Sequence, residues 1–186
     1  MSVRPYLLFL MLFLTTCGSS PKTNFYALKP LPAAQAMSAR RPASPVTVDH
    51  VALPEMLDRL SLVREGPGNH VSVSETDRWA APLEEQVRRT LTEDLQQRLP
   101  AGTVLAAGDP APPGARTITL NVQQFVADPN GQVTLEADWS LHGGKGTSSV
   151  RHVAFQVASA GPGGDAVATA MSRALADLAD RITAEL

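Results

Sequence analysis

The chain has 186 residues with 16 basic and 18 acidic side chains, which gives a formal net charge of −2 at pH 7. This balance excludes the clustered basic face that nucleic-acid binding needs, and the length fits one domain with a sizeable core. The chain contains one cysteine, so an internal disulfide and a multi-cysteine zinc site are also excluded.

The first sixteen residues predict an export signal. Arg4 precedes an apolar run from Tyr6 to Leu14, which is too short to span a membrane as a helix but fits a signal-peptide core. Leu14-Thr-Thr-Cys17 resembles the lipobox of bacterial lipoproteins, although Thr16 stands where Gly, Ala or Ser is usual. We expect cleavage before Cys17 and a diacylglycerol on its thiol. The alternative is an ordinary secreted protein with a chance cysteine near the cleavage site.

Acyl chains on Cys17 would hold the protein on a membrane surface without spanning it, because two or more chains suffice for stable anchoring. Gly18 is not the aspartate that is associated with inner-membrane retention in enteric bacteria. We therefore expect the outer membrane, with the protein facing the periplasm. Residues 17–23 are mostly small and polar and predict a short tether.

A single domain is predicted over residues 24–186. It begins with a short strand at 24–28, and a Pro- and Ala-rich connection without apolar periodicity follows at 29–45. Alternating apolar residues then predict further strands at 46–53, 62–63 and 70–74, with one helical turn at 57–62.

The second half predicts two amphipathic helices around a three-stranded meander. The first helix starts after Ala81-Pro82, where the missing N–H of proline costs nothing, and the second follows a glycine-rich break with Asp165 as its N-cap. The strands alternate over 117–122, 133–142 and 153–157, so one sheet face should be less buried. The predicted fold class is α/β: a mixed, largely antiparallel sheet packed with two main helices, of the sandwich type.

No pattern in the sequence points to catalysis or to a metal. The Gly143-Gly-Lys-Gly-Thr147 run lacks the order of a phosphate loop and predicts a hairpin turn, and there is no Gly-x-Ser-x-Gly nucleophile motif. His142 and His152 flank one hairpin, and we interpret their proximity as a coincidence on a solvated face. The four histidines occur singly, without metal-ligand spacing, at His50, His70, His142 and His152. We expect no enzyme activity and no cofactor beyond the acyl lipid on Cys17.

A tryptophan beside an arginine, just before a helix, predicts an anchor at a protein interface, where both residue types are enriched. The alternative for Trp79 is that it packs under the helix as core, with Arg78 covering its ring. With the leucine- and arginine-containing stretch at 53–59, the candidate interface comprises Leu53, Pro54, Leu57, Arg59, Arg78, Trp79 and Leu83.

Several short motifs follow one another in a characteristic order along nearly the whole chain. They are the lipobox, Phe25-Tyr-Ala-Leu28, the segment Val46–Arg64, Arg78-Trp-Ala-Ala-Pro-Leu83, and the paired segments Leu120–Phe125 and Val133–Trp139. This order resembles the ABC-type transport auxiliary lipoproteins, the family of paraquat-inducible protein C.

The resemblance implies an α/β sandwich with a mixed sheet between helices. It further implies a non-catalytic subunit of an MCE (mammalian cell entry) lipid-transport system, which would dock the MCE protein to the outer membrane. The implied partners are that MCE-domain protein with its permease and ATPase, the membrane, and further copies of the chain in a ring. Two alternatives stay open: an independent periplasmic lipid-binding carrier, and a lipoprotein that assists secretion or assembly.

Overall fold

The computed structural model describes residues 21–33, 44–106, 108–143 and 149–186. In these ranges the chain forms seven strands, two α-helices and one short 3₁₀ helix at Glu55–Leu57. The elements are β1 Asn24–Tyr26, β2 Val46–Ala52, β3 Ser61–Glu65, β4 Val71–Trp79, α1 Leu83–Arg98, β5 Arg116–Ala127, β6 Gln132–His142, β7 Val150–Ala158 and α2 Gly164–Glu185.

All seven strands belong to one mixed sheet with the order β1-β4-β3-β5-β6-β7, and β2 pairs with β5 outside this path. β5, β6 and β7 form the predicted antiparallel meander, and β3 and β4 form a second antiparallel pair. β1 runs parallel to β4, while β2 and β3 both run parallel to β5. β1 and β7 are therefore the opposite ends of the strand order. The predicted single α/β domain with a mixed sheet is confirmed.

The two helices pack against each other and against the sheet. The sheet face below them carries the apolar alternates of the meander, such as Leu120, Leu135 and Trp139, all of them buried. The polar alternates on the other face are more accessible, as the prediction of unequal faces required. Both described helices thus lie on one face of the sheet. The arrangement implied by the resemblance, with the sheet between helices, is not found in the described residues.

Two local predictions were wrong for steric and hydrogen-bonding reasons. α2 begins one residue before Asp165, with Gly163 as its N-cap and no side-chain cap. Gly164 lies directly under the ring of Tyr26, where a Cβ atom would come within 2.5 Å of a ring carbon. The predicted helical turn at 57–62 lies earlier in the structure, as the 3₁₀ helix whose Leu57 N–H donates to the carbonyl of Pro54 at 2.8 Å.

Candidate interaction site

The N-terminal residues 28–31 lie against both helices, and we call this segment the strap. Its backbone amides donate to buried helix side chains: Leu28 to Gln86 Oε1 at 2.9 Å and Leu31 to Asp94 Oδ1 at 2.8 Å, both on α1. The Lys29 amide donates to the hydroxyl of Ser172 on α2 at 3.1 Å. The strap is thus held through its backbone by side chains of two helices.

Two arginines of α1 donate to the strap carbonyls. The helix side chains that bind the strap form what we call the clamp: Gln86, Arg89, Asp94, Arg98 and Ser172. Arg89 Nη2 lies 3.3 Å from the carbonyl oxygen of Leu28, and Arg98 Nη1 lies 3.2 Å from that of Leu31. Arg98 also donates through Nε to Asp180 of α2 at 2.6 Å. Because hydrogen bonds to charged groups are stronger than neutral ones, these contacts fix the path of the strap over the helix layer.

Asp94 is the most perturbed carboxyl of this clamp. Burial raises its pKa from 3.8 to about 6, although the Leu31 amide and the charge of Arg98 both act to lower the pKa. Its second oxygen, Oδ2, is buried and accepts no hydrogen bond. Burial also raises the pKa of Asp177 on α2 above its ordinary value, with the charge of Asp180 as a further cause.

The raised pKa of Asp94 predicts a pH-dependent stability. The folded chain holds this proton more tightly than the unfolded chain, so the folded state loses stability as pH rises from about 4 to about 7 and Asp94 ionises. Over that window, the unfolding free energy of the wild type minus that of Asp94→Asn should fall by about 3 kcal/mol. Denaturant unfolding at several pH values measures this difference. Glu85→Gln, on the exposed side of the same helix, controls for charge, and a pH-independent difference would contradict the prediction.

The structure separates the predicted interface into buried and accessible residues. Leu57, Trp79 and Leu83 are each only 3% exposed and belong to the hydrophobic core, so little of their side chains is accessible to a partner. The structure therefore places Trp79 in the core. Its position explains this: it ends β4 within the sheet, and its amide donates to the carbonyl of Leu60 at 2.6 Å. Arg78, one residue earlier, is exposed and points away from that core.

The two predicted stretches do meet in the fold, because Arg78 is the cross-strand partner of Ser61 at the start of β3. Arg59, two residues before that strand, is exposed, while Leu53 and Pro54 are half-buried. The guanidinium groups of Arg59 and Arg78 form no hydrogen bond or ion pair with another residue of the described ranges. The accessible members of the set are thus Leu53, Pro54, Arg59 and Arg78.

A concavity of about 290 Å³ lies beside the 3₁₀ helix, and we call it the Met56 groove. Met56 is 38% exposed at its wall. The amide of Gln124 donates to the carboxylate of Glu65 at 2.5 Å within it. The groove is lined by Pro54, Met56, Leu57, Glu65, Gln123, Gln124, Phe125, Val126 and Glu136.

The two meander histidines have separate partners on the open face of the sheet. His142 Nε2 lies 2.7 Å from the hydroxyl of Ser140, and His152 Nδ1 lies 3.0 Å from Asp138 Oδ1. No group of three metal-ligating side chains occurs within the described ranges. Most of the predicted Gly143–Thr147 turn lies outside those ranges, as does the predicted acylation site at Cys17. No helix in the described part of the chain is long and apolar enough to cross a membrane.

The clamp is the feature that sequence reasoning missed. Gln86, Asp94 and Arg98 are buried, and with Thr90 they recur every four residues along α1. They lie beside the leucine stripe of this helix, which comprises Leu83, Val87, Leu91, Leu95 and Leu99. Such a polar stripe at helical spacing was a visible signal that this face contacts something polar. The sequence could not identify the strap as the segment that this face binds, because the strap is far from α1 along the chain and contacts it only in the folded protein.

Comparison with known proteins gives concordant results. The family model described as "ABC-type transport auxiliary lipoprotein component" matches residues 26–183. Proteins named "Intermembrane transport lipoprotein PqiC" from Escherichia coli (strain K12) and Shigella flexneri are each 26% identical over 132 residues, or 70% of both chains.

Two solved structures share the fold. One, titled as an uncharacterized protein, has a TM-score of 0.74 at 22% identity and covers 89% of this chain and 99% of its own. The other, from Xanthomonas campestris, has a TM-score of 0.67 at 16% identity and covers 87% and 93%. With the family model spanning most of the sequence, the chain belongs to the ABC-type transport auxiliary lipoprotein family.

Proposed function

We propose that this protein is the lipid-anchored, periplasm-facing subunit of an MCE-type intermembrane lipid-transport system, and that it docks the MCE protein to the outer membrane. The observation that carries the proposal is the family match over residues 26–183. The relatives named as intermembrane transport lipoproteins and the lipobox before Cys17 support it.

The proposed role is mechanical and non-catalytic. Acyl chains on Cys17 would place the domain at the membrane, and the strap would fix how the domain is held there, since five hydrogen bonds tie it to the helices. The sheet would then present a binding surface to the partner. A ring of several copies around the end of an MCE assembly remains part of this proposal.

We place the partner contact at the Met56 groove and the adjacent Leu53 and Pro54. The groove combines an exposed methionine and other apolar side chains with two amides and the carboxylates of Glu65 and Glu136. In the proposed contact the apolar side chains form the centre and the amides and carboxylates form the polar rim. Partly exposed methionine adapts to different apolar partners. This retains part of the interface predicted from the sequence and moves its centre away from Trp79.

The carrier alternative requires an apolar cavity that can hold a lipid. Against it, the apolar side chains of both helices and the sheet form one buried cluster that fills the space between the layers. The secretion or assembly alternative makes no structural demand that differs from docking, so only the identity of the partner separates the two.

Affinity purification of the full-length tagged chain from its native cell envelope in mild detergent tests the proposal. Mass spectrometry of the eluate should identify an MCE-domain protein and its permease. Met56→Glu should reduce their recovery, whereas Val150→Glu, a change at an exposed residue of β7, should not. Recovery of lipid without these proteins would favour the carrier, and recovery of secretion components would favour the third alternative.

A further inference from the structure

The β1 edge of the sheet carries an aromatic side chain that the fold leaves uncovered. Phe25, at the centre of β1, is 65% exposed, whereas its neighbour Tyr26 packs on Gly164. Phe25 lies opposite Arg78 of β4 in the parallel register. The Arg78 guanidinium has no ion-pair partner in the described ranges, and the adjacent Asp77 is already engaged by the side chains of Asn24 and Tyr26.

The position of β1 relative to the rest of the domain is fixed on both sides. On one side, β1 is bonded to the end of β4: Ala80 donates its amide to the carbonyl of Tyr26 at 2.8 Å, and the Tyr26 hydroxyl donates to Asp77 at 3.2 Å. After β1, the strap is clamped to α1 and α2. Phe25 therefore keeps one orientation relative to the domain.

The chain length restricts how far Phe25 can be from the membrane. Seven residues lie between Cys17 and Phe25, so eight Cα–Cα steps join the two. Fully extended, this segment reaches at most about 28 Å, which is less than the diameter of about 40 Å for a domain of this size. An acylated Cys17 therefore keeps β1 away from the side of the domain that is farthest from the bilayer.

We infer that the β1 edge faces the membrane, with the Phe25 ring in the interfacial region of the bilayer and Arg78 at the level of anionic headgroups. Exposed phenylalanine beside basic residues is typical of segments that bind the membrane surface, and an arginine without an ion-pair partner gains a phosphate there. Leu60 lies near this end, since its carbonyl accepts a hydrogen bond from the Trp79 amide, and it is 45% exposed. Arg59, which precedes it, is exposed as well, and β4 also carries the exposed acidic residue Glu75. The inference rests on the proposed acylation of Cys17 and adds the orientation of the domain.

A pair of labelled variants tests the orientation in the acylated full-length protein. Because acylated Cys17 has no thiol, Phe25→Cys offers one labelling site for an environment-sensitive fluorophore. Val150→Cys is the matched control, since Val150 is 71% exposed at the other edge of the sheet, about 24 Å away across the strands. Both variants are reconstituted in vesicles of phosphatidylethanolamine and phosphatidylglycerol, with and without brominated acyl chains.

We expect the brominated lipid to quench the label at position 25 several times more strongly than the label at position 150. Equal quenching at both positions, or none at either, in a chain whose intact mass includes the acyl groups would overturn the orientation and leave the anchor standing. Shielding at position 25 that depends on protein concentration and shows no lipid quenching would assign the edge to a second copy instead. A mass without acyl groups would overturn the anchor itself, and the orientation with it.

Discussion

We expect that replacing Cys17 with serine will abolish the proposed acylation. Each buried methylene of an acyl chain contributes about 0.8 kcal/mol, so the loss of two or three chains would remove the proposed attachment. In cells fed an alkyne fatty acid, the wild-type chain should carry the label and sediment with membranes, and Cys17→Ser should carry none.

An uncleaved signal segment could hold the serine variant at the membrane by its own apolar run. The matched control is therefore residues 18–186 exported behind a signal peptide that ordinary signal peptidase removes. This chain should appear in the soluble periplasmic fraction with the fold intact. Label incorporation into Cys17→Ser, or membrane sedimentation of the control chain to the wild-type extent, would rule out Cys17 as the anchor.

The second large effect is expected at Trp79. Truncation of this buried side chain to alanine should lower the free energy of unfolding by about 3–5 kcal/mol, because a cavity replaces the indole in the hydrophobic core. Since the free energy of unfolding of small domains is about 5–15 kcal/mol, the folded state of this variant should be poorly populated at physiological temperature. Chemical denaturation followed by circular dichroism measures the change.

Phe25→Ala is the matched control, since it also removes an aromatic ring but from an exposed position on the neighbouring strand. Its unfolding free energy should stay within about 0.5 kcal/mol of the wild type. An unchanged denaturation midpoint for Trp79→Ala would mean that Trp79 is not core. The same reasoning shows why Trp79→Ala cannot test the partner interface: lost binding would reflect lost folding.

The periodicity of apolar residues predicted most of the elements, because burial on one face imposes its own spacing on a helix or a strand. The leucine stripe of α1 and the alternation along β5 and β6 are examples, and both are buried as predicted. The parallel pairings of β1 with β4 and of β2 with β5 could not be predicted, since nothing local in either strand identifies its neighbour.

The candidate site was predicted less well, for a related reason. Tryptophan and arginine are enriched at interfaces, yet composition does not tell which way a side chain points, and β4 turns Trp79 inward and Arg78 outward. The strap is bound through its backbone amides, which every residue type except proline has, so its sequence does not reveal these hydrogen bonds. Only the buried polar residues of α1 that accept the hydrogen bonds are recognisable in the sequence.

In-cell photo-crosslinking from position 56 tests the central claim most directly. A photoreactive amino acid replaces Met56 in the full-length chain expressed at native levels, and the same residue at position 150 is the control. We predict a crosslinked product at position 56 that contains an MCE-domain protein, and none at position 150. No MCE-domain protein in any crosslinked product from position 56, with the chain folded and on the outer membrane, would contradict the docking role.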